Sequence, residues 1–358
     1  MQIYKPTTQN EMLFNLLKSG KEGGPAPYIH TIAIPLIAAG IAIVAAPSYW
    51  DLLLHLLDKS LGTKLEFAQS PIIGVFLILL GLLVYIVERN IGAYGGQPLL
   101  ALRHQSFLPI PPSLSNVDLP RRISMKRVRP IDCDLYPVMS GTTKNLEAAL
   151  SIQADWAQKA VGAITGAPDA PVAYYGIVHI PFQFLAGCRF STYRKIELFE
   201  LERGTNRWRE LSSRRIGNAL SVKVDRHMQA GECGDVSIRI SVSYLVHLRE
   251  VERILKPPFD DIHLHITEPR IDAVRSCEDL TGIASIFRRE IDSDQVRGKR
   301  LHIFYSGPVS LGFSLGQQIR PSIHGEVRVY NYDASACPPY EWSVSMSNNP
   351  KEANVRFH

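Results

Sequence analysis

The chain has 358 residues, 46% of them hydrophobic and 20% charged, with a formal net charge of +5 and a pI near 8.9. This length suffices for about two domains of ~150 residues each, and the composition is that of an ordinary globular protein. The cysteines are too dispersed for a disulfide framework or a CxxC zinc site, so we expect free thiols in a reducing compartment at Cys133, Cys188, Cys233, Cys277 and Cys337.

Two long uncharged apolar runs lie near the N-terminus. Residues 31–46 read TIAIPLIAAGIAIVAA and residues 71–87 read PIIGVFLILLGLLVYIV. With their flanks, residues 29–89 predict two transmembrane helices at about 29–50 and 70–89, each long enough to cross about 30 Å of hydrocarbon. The alternatives are buried core helices, which usually keep a polar face, and a signal peptide, which would begin nearer Met1.

Basic residues predict the orientation of these helices. Lysines precede the first run within residues 1–28, and arginines follow the second run, whereas acidic residues offset the lysines between the runs. The positive-inside rule therefore places both termini in the cytoplasm, with an outer loop at about residues 51–70. Small residues at Gly40, Gly74 and Gly81 would let the two helices pack closely, although spanning helices are rich in glycine in any case.

Residues 90–137 are rich in Gly, Pro and Ser and lack helical or strand periodicity, so they predict a linker. Its basic stretch RRISMKRVR, residues 121–129, could bind anionic lipid headgroups or could be a solvated surface strand. Binding of nucleic acid is less favoured, because aromatic residues are not interleaved with the charges.

From residue 138 to residue 358, strand patterns such as YYGIVHI and LHIFY alternate with helical patterns such as CEDLTGIASIFRREI. This alternation predicts an α/β domain with parallel sheets. A repeat is visible within it, because IVHIPFQFLAGCRF followed by IELFEL resembles IFYSGPVSLGFSLGQQI followed by VRVYNY. Aligning Pro181 with Pro308 gives a period of about 127 residues. Either two Rossmann-like halves lie side by side, or the similarity is chance.

The last of these patterns resembles a known signature. LHIFYSGPVSLGFSLGQQI, then VRVYNYD and PPYEW, within Leu301 to Trp342, are similar to the C-terminal part of SAVED domains. The resemblance implies a soluble α/β domain made of two CARF-like (Rossmann-like) halves, here preceded by a two-helix transmembrane hairpin. SAVED domains sense cyclic oligonucleotides in bacterial CBASS antiphage systems and are fused to varied effectors. The N-terminal hairpin resembles the membrane-disrupting, two-transmembrane effector class.

In open α/β sheets, ligands lie beyond the carboxyl ends of the strands. Helices that begin near Pro181 and Pro308 would offer backbone N–H groups to phosphate, while Arg270 could pair with phosphate and Tyr305 could stack on a base. Ordinary strand-end polarity is the alternative for each residue. The candidate ligand-binding residues are His179, Pro181, Gln183, Ser243, Tyr244, Thr267, Arg270, Tyr305, Ser306 and Pro308.

Other chemistry is not favoured by the sequence. It contains no P-loop, HExxH, GxSxG or GxGxxG motif. His263 and His265 share a strand face with Glu268 nearby, but no third metal ligand is evident, so we predict no metal site. His179 is interpreted as a turn or core histidine rather than a catalytic base, and no catalytic residue is predicted.

Together these patterns lead us to expect a non-enzymatic effector of the bacterial inner membrane. Its expected partners are a cyclic di- or trinucleotide, the lipid bilayer and further copies of itself, with no DNA or RNA polymer and no cofactor. The resulting membrane disruption would cause abortive infection. Two alternatives remain open, a membrane-tethered ring nuclease that degrades the signal and a nucleotide-binding regulator that acts through a separate partner.

Overall fold

A computed structural model of the chain describes residues 34–45, 71–94, 97–109, 128–141, 143–193, 196–202, 207–211, 220–229, 233–346 and 353–358. The chain divides into two compact units, Met1–Gly96 and Gln97–His358. The predicted cytoplasmic segment 1–28, the predicted outer loop 51–70 and residues 110–127 of the predicted linker lie outside the described residues.

The described part of the first unit consists of two helices, α1 (Ile34–Ala45) and α2 (Pro71–Tyr94). They approach closely at a glycine, because a Cβ atom on Gly40 would lie only 2.6 Å from the carbonyl oxygen of Gly74. The predicted helix contact at these small residues is therefore present. Over the described residues, we find no helix that combines the length and the apolar character required to cross a bilayer.

The second unit begins with a five-stranded sheet whose order is β2-β1-β3-β4-β5. The first four strands are parallel, and β5 pairs antiparallel with β4 at the edge. Its strands are β1 (Leu99–Gln105), β2 (Val128–Asp134), β3 (Val172–Ile177), β4 (Ile196–Glu202) and β5 (Arg207–Glu210). The helices of this half are α3 (Tyr136–Met139), α4 (Leu146–Gly166) and α5 (Ile180–Arg189).

The linker prediction is wrong where β1 and β2 form. All seven residues of β1 are buried, and the strand lies between β2 and β3. Buried parallel strands usually read as continuous apolar runs. Here only Leu99–Leu102 is apolar, followed by three polar residues, so this short signal is hard to see among neighbouring glycines and prolines.

The second half contains a seven-stranded sheet of order β12-β11-β10-β9-β7-β8-β6. The strands β8, β7, β9 and β10 are parallel, and the outer strands pair antiparallel. The strands are β6 (Val222–His227), β7 (Asp235–Ser241), β8 (Asp260–Ile266), β9 (Arg300–Ser306), β10 (Val327–Tyr330), β11 (Trp342–Met346) and β12 (Asn354–Phe357). The helices are α6 (Leu248–Val251), α7 (Cys277–Ile291), α8 (Val309–Gln318) and α9 (Pro321–His324). The predicted α/β class is confirmed, but both sheets are mixed rather than purely parallel as predicted, because their outer strands pair antiparallel.

Helices α5 and α8 join the two halves through a reciprocal contact. A Cβ atom on Gly187 would lie 2.0 Å from the carbonyl oxygen of Phe313, and one on Gly316 would lie 2.2 Å from that of Phe184. Gly316 follows Gly187 by 129 residues, and Phe313 follows Phe184 by the same number. The structural repeat is therefore 129 residues rather than the predicted 127, because Pro181 lies in the first turn of α5 whereas Pro308 is the N-cap of α8.

Aromatic rings extend this contact into both sheets. Tyr174 of β3 stacks on Phe313 of α8 with ring centroids 4.2 Å apart. Reciprocally, the ring of Phe184 in α5 packs edge-on against the ring of Tyr305 in β9, with centroids 5.2 Å apart. Each helix thus packs a phenylalanine against a tyrosine from the other half, and such aromatic pairs contribute about 0.5–1.5 kcal/mol beyond burial.

We predict that Gly187→Ala lowers the free energy of unfolding by about 1–3 kcal/mol, because the new methyl group meets backbone rather than a movable side chain. Gly282→Ala in α7 is the matched control. No atom lies within 4 Å of a Cβ at Gly282, so that substitution should stabilise the helix by about 0.5–1 kcal/mol. Thermal denaturation of both variants checks the prediction, and equal shifts would show that the contact tolerates a methyl group.

Candidate ligand-binding site

A cavity of about 760 Å³ opens at the carboxyl ends of parallel strands from both sheets. Its wall includes the ends of β3 and β9, part of β4, and the loops after β1, β7 and β10. This volume is within the range of small-molecule sites. Six of the ten candidate residues line the cavity, namely Gln183, Ser243, Tyr244, Tyr305, Ser306 and Pro308. Binding of a ligand by these residues remains a prediction.

The turn from β9 into α8 is built on Tyr305. Its hydroxyl donates a hydrogen bond of 2.6 Å to the carbonyl of Pro308, which caps α8. Gly307 is required between them, because a Cβ there would lie 2.4 Å from the Tyr305 hydroxyl oxygen. Burial raises the pKa of Tyr305 well above its usual value, so the phenol stays neutral. Tyr305 and Pro308 therefore form a rigid floor of the cavity.

Ser306 holds the loop that follows β7. Its carbonyl accepts hydrogen bonds from the backbone N–H groups of Val242 and Ser243 at 2.8 and 2.9 Å. Its hydroxyl oxygen accepts a further bond from the backbone N–H of Tyr244 at 3.0 Å. The ring of Tyr244 is 59% exposed, so the loop presents an aromatic face whose backbone is fixed to the end of β9.

A carboxylate, Glu200 of β4, occupies the N-terminus of α8. The backbone N–H of Ser310 donates to Glu200 Oε1 at 2.5 Å. Burial raises the pKa of Glu200 to about 7, although bonds from Ser310 and the charge of Arg209 act in the opposite direction. The predicted phosphate position at the start of this helix is therefore filled from within the chain, and that part of the prediction is wrong. In the sequence of this strand, IELFELE, apolar and acidic residues alternate, and this pattern does not indicate that Glu200 binds the start of a helix.

The N-terminus of α5 is shielded by His179. This side chain is only 6% exposed, and its Nδ1 lies 2.6 Å from the hydroxyl oxygen of Ser106. Its ring stacks on Phe107 with centroids 4.0 Å apart. Burial, with a smaller contribution from Lys144, lowers the pKa of His179 to about 4. At neutral pH the ring is uncharged, as expected of a turn or core histidine.

Four candidate residues are not among those that line the cavity. His179 lies beneath Phe107, and Pro181 is buried in the first turn of α5. Thr267 and Arg270 are exposed after β8. The backbone N–H of Arg270 nevertheless donates to the carbonyl of Val242 at 3.0 Å, which ties this segment to the loop after β7.

Gln183 is fixed at the start of α5 with its amide oxygen enclosed. Its amide nitrogen donates to the carbonyl of Val178 at 2.6 Å, which fixes the side chain at the start of α5. Its Oε1 is buried and has no hydrogen-bond partner among the described residues. This oxygen packs against α8, where a Cβ on Gly312 would lie only 2.3 Å from it, so it is enclosed by the protein rather than open to the cavity.

The lining combines aromatic rings with carboxylates. Phe107, Tyr244 and Tyr332 are exposed enough to offer ring faces to a ligand. Among the described residues that line the cavity, every charged side chain is acidic: Glu200, Glu250 and Asp272. Aromatic faces with nearby acceptors match planar groups that carry N–H donors, such as nucleobases. They match an anionic phosphate less well.

Comparison with protein-family models matches residues 155–346 to SAVED, the SMODS-associated and fused to various effectors sensor domain. The chain belongs to the SAVED family. All of the residues that line the cavity, except Phe107, fall within residues 155–346, the part of this SAVED protein that matches the family model. A search of curated protein sequences finds no match.

Solved structures similar to this chain include Cap4 SAVED/CARF-domain receptors. One is from Acinetobacter baumannii with the cyclic trinucleotide 2'3'3'-cAAA, at 11% identity and TM-score 0.46, covering 75% of this chain and 54% of that chain. The same receptor with the cyclic trinucleotide 3'3'3'-cAAA has 11% sequence identity and a TM-score of 0.44, and the match covers 93% of this chain and 85% of that chain. The receptor from Moraxella osloensis has 10% sequence identity and a TM-score of 0.42, and the match covers 83% of this chain and 64% of that chain. The chain thus spans about half the length of the first receptor.

The raised pKa of Glu200 predicts a pH-dependent stability. The pKa of Glu200 is about 7 in the folded protein, above the ordinary value of 4.5 that applies to the unfolded chain. At pH values between these two, the folded protein therefore binds more protons than the unfolded chain. The stabilisation from this proton is complete below the unfolded pKa and is lost as pH rises through about 7. Glu200→Gln should therefore gain more stability over the parent at about pH 8 than at about pH 5.

Denaturation curves at the two pH values measure this difference. Glu147→Gln, at an exposed position in the first turn of α4, is the matched control and should give similar changes at both. If Glu200→Gln behaves as this control does, the carboxylate is charged in the folded protein at both pH values.

Proposed function

We propose that this SAVED protein is a membrane-anchored effector of bacterial antiphage defence, activated by a cyclic oligonucleotide bound in the cavity. The observation that carries the proposal is a large cavity at the strand ends of a family sensor domain, lined by aromatic rings and hydrogen-bond acceptors. Activation consists of self-association of bound copies, followed by disruption of the inner membrane and abortive infection.

The ligand enters with its bases inward. Tyr244 and Tyr332, 59% and 44% exposed, supply stacking surfaces, and the carboxylates of the lining accept bonds from base N–H groups. The phosphates point outward, because the charged residues described in the lining are carboxylates, which would repel them. Arg270, exposed beside the loop after β7, is available for a phosphate at the rim.

Tyr244→Ala and Tyr332→Ala should each weaken binding by about 5- to 150-fold, since stacking of a base on an aromatic ring contributes about 1–3 kcal/mol. Titration calorimetry against a panel of cyclic di- and trinucleotides identifies the ligand and measures the loss. Phe357→Ala is the matched control, because Phe357 is 72% exposed but lies on β12 outside the cavity lining.

Three results would count against this model. If no cyclic nucleotide in the panel binds the parent, the sensor role fails. If Phe357→Ala loses as much affinity as Tyr244→Ala, the ligand binds elsewhere. If chromatography after incubation finds linear products, the protein is a ring nuclease rather than a non-enzymatic sensor.

The membrane role rests on the first unit. Its two apolar runs carry no charge, and the helices expose large apolar side chains outward, including Phe76, Leu79 and Leu83 at 57–60% exposure. An apolar surface of this kind requires either lipid or a protein partner to cover it. Lipid is the occupant we propose, with both termini in the cytoplasm, where the signal is produced.

We predict that the full chain sediments with inner membranes, whereas a chain that begins at Gln97 stays in the supernatant and keeps its ligand affinity. The boundary follows the division between the two compact units. Toxicity on induction of the signal should be lost with the first unit. A truncated chain that remains toxic would show that the effector lies in the SAVED unit, and one that still sediments with membranes would contradict the anchor.

A further inference from the structure

A second polar cluster lies at the edge of the seven-stranded sheet, outside the residues that line the cavity. Asp225 on β6 is directly opposite His263 on the neighbouring strand β8, and His265 follows two residues later. Because alternate residues of a strand point to one face, these three side chains share one face of the sheet. One ligand atom from each lies within 4.8 Å of the other two.

We propose that Asp225, His263 and His265 bind one divalent transition-metal ion, for which Zn²⁺ is the best match. Two imidazole nitrogens and one carboxylate oxygen form a usual three-ligand zinc set, which leaves a fourth position for water. The third ligand was not evident in the sequence, because Asp225 precedes the histidines by about 40 residues and only strand pairing brings it near.

The histidine nitrogens have partners that suit metal binding. His265 Nε2 donates a hydrogen bond to Asp225 Oδ2 at 3.0 Å, a separation close to that of two ligands around one zinc ion, and a bound metal ion would replace this proton. The ring proton then moves to Nδ1, which lies 3.3 Å from the carbonyl of Ile266. The Ser241 hydroxyl is 2.8 Å from His263 Nε2 and acts as the corresponding outer partner, leaving Nδ1 for the metal.

The imidazole rings need only a modest adjustment. They are stacked with centroids 4.7 Å apart, and rotation about χ2, a broad torsion in histidine, turns their nitrogens toward a common point.

Two neighbouring cations affect this site differently. Arg239 lies opposite His263 on β7 but is bound to Asp261, with contacts of 2.9 and 2.7 Å, so its charge is largely compensated. Lys223 on β6 lies opposite His265, and its charge opposes a bound metal ion. Lys223→Ala should therefore strengthen metal binding by about threefold, the size of one exposed charge interaction.

The test is calorimetric titration of the full chain with Zn²⁺ after treatment with a chelator. We expect one ion per chain at this cluster. Asp225→Asn and His265→Ala should each weaken binding by at least about tenfold. Asp225 is exposed, so its variant keeps the fold, and zinc should raise the melting temperature of the parent but not of the variants.

His227→Ala is the matched control, because His227 shares the face of β6 two residues from Asp225 but pairs opposite Asp261. This variant should bind zinc as the parent does. Co²⁺ absorption provides a second readout, since binding by the cysteines would add an intense thiolate charge-transfer band that the proposed site lacks. Equal losses in the His227 and His265 variants, a thiolate band, or no zinc binding by the parent would each overturn the proposal. In that case Asp225 and His265 form only an ion pair.

Discussion

The close approach of α5 and α8 determines the geometry of the rest of the second unit. Gly187 and Gly316 allow each helix to touch the backbone of the other, which side chains at either position would prevent. Because α5 follows β3 and α8 follows β9 after short turns, this contact also fixes the carboxyl ends of the two central strands. The cavity occupies the space between those ends, so this helix contact sets its floor, while the loops after β1, β7 and β10 form the rest of its wall.

Electrostatic groups within the chain then decide what the cavity can hold. Both helix starts would ordinarily attract anions through their unpaired N–H groups. At α8 the Glu200 carboxylate already takes this position, and at α5 the neutral His179 and the ring of Phe107 cover it. What remains for a ligand is aromatic surface and further carboxylates. This chemistry is suited to the edges and faces of bases.

The sequence predicted the α/β class, the repeated strand–turn–helix unit and the strand-end position of the cavity, because all three depend on local patterns and on a general property of parallel sheets. It could not predict β1 as a strand, since the apolar signal is four residues long. It also missed Glu200 and Asp225. Each contacts an element distant in sequence, α8 for Glu200 and β8 for Asp225, and such contacts leave no periodic trace in a single chain.

The two helix starts are related by the structural repeat but differ in chemistry. His179 and Pro308 occupy equivalent positions, yet one is covered by an aromatic ring and the other lies beside a titratable carboxylate. A signalling molecule with two identical ends would therefore meet two unlike environments and could satisfy only one of them fully. Selection between symmetric and asymmetric messengers would then arise from divergence of the duplicated halves, without any change in their backbone.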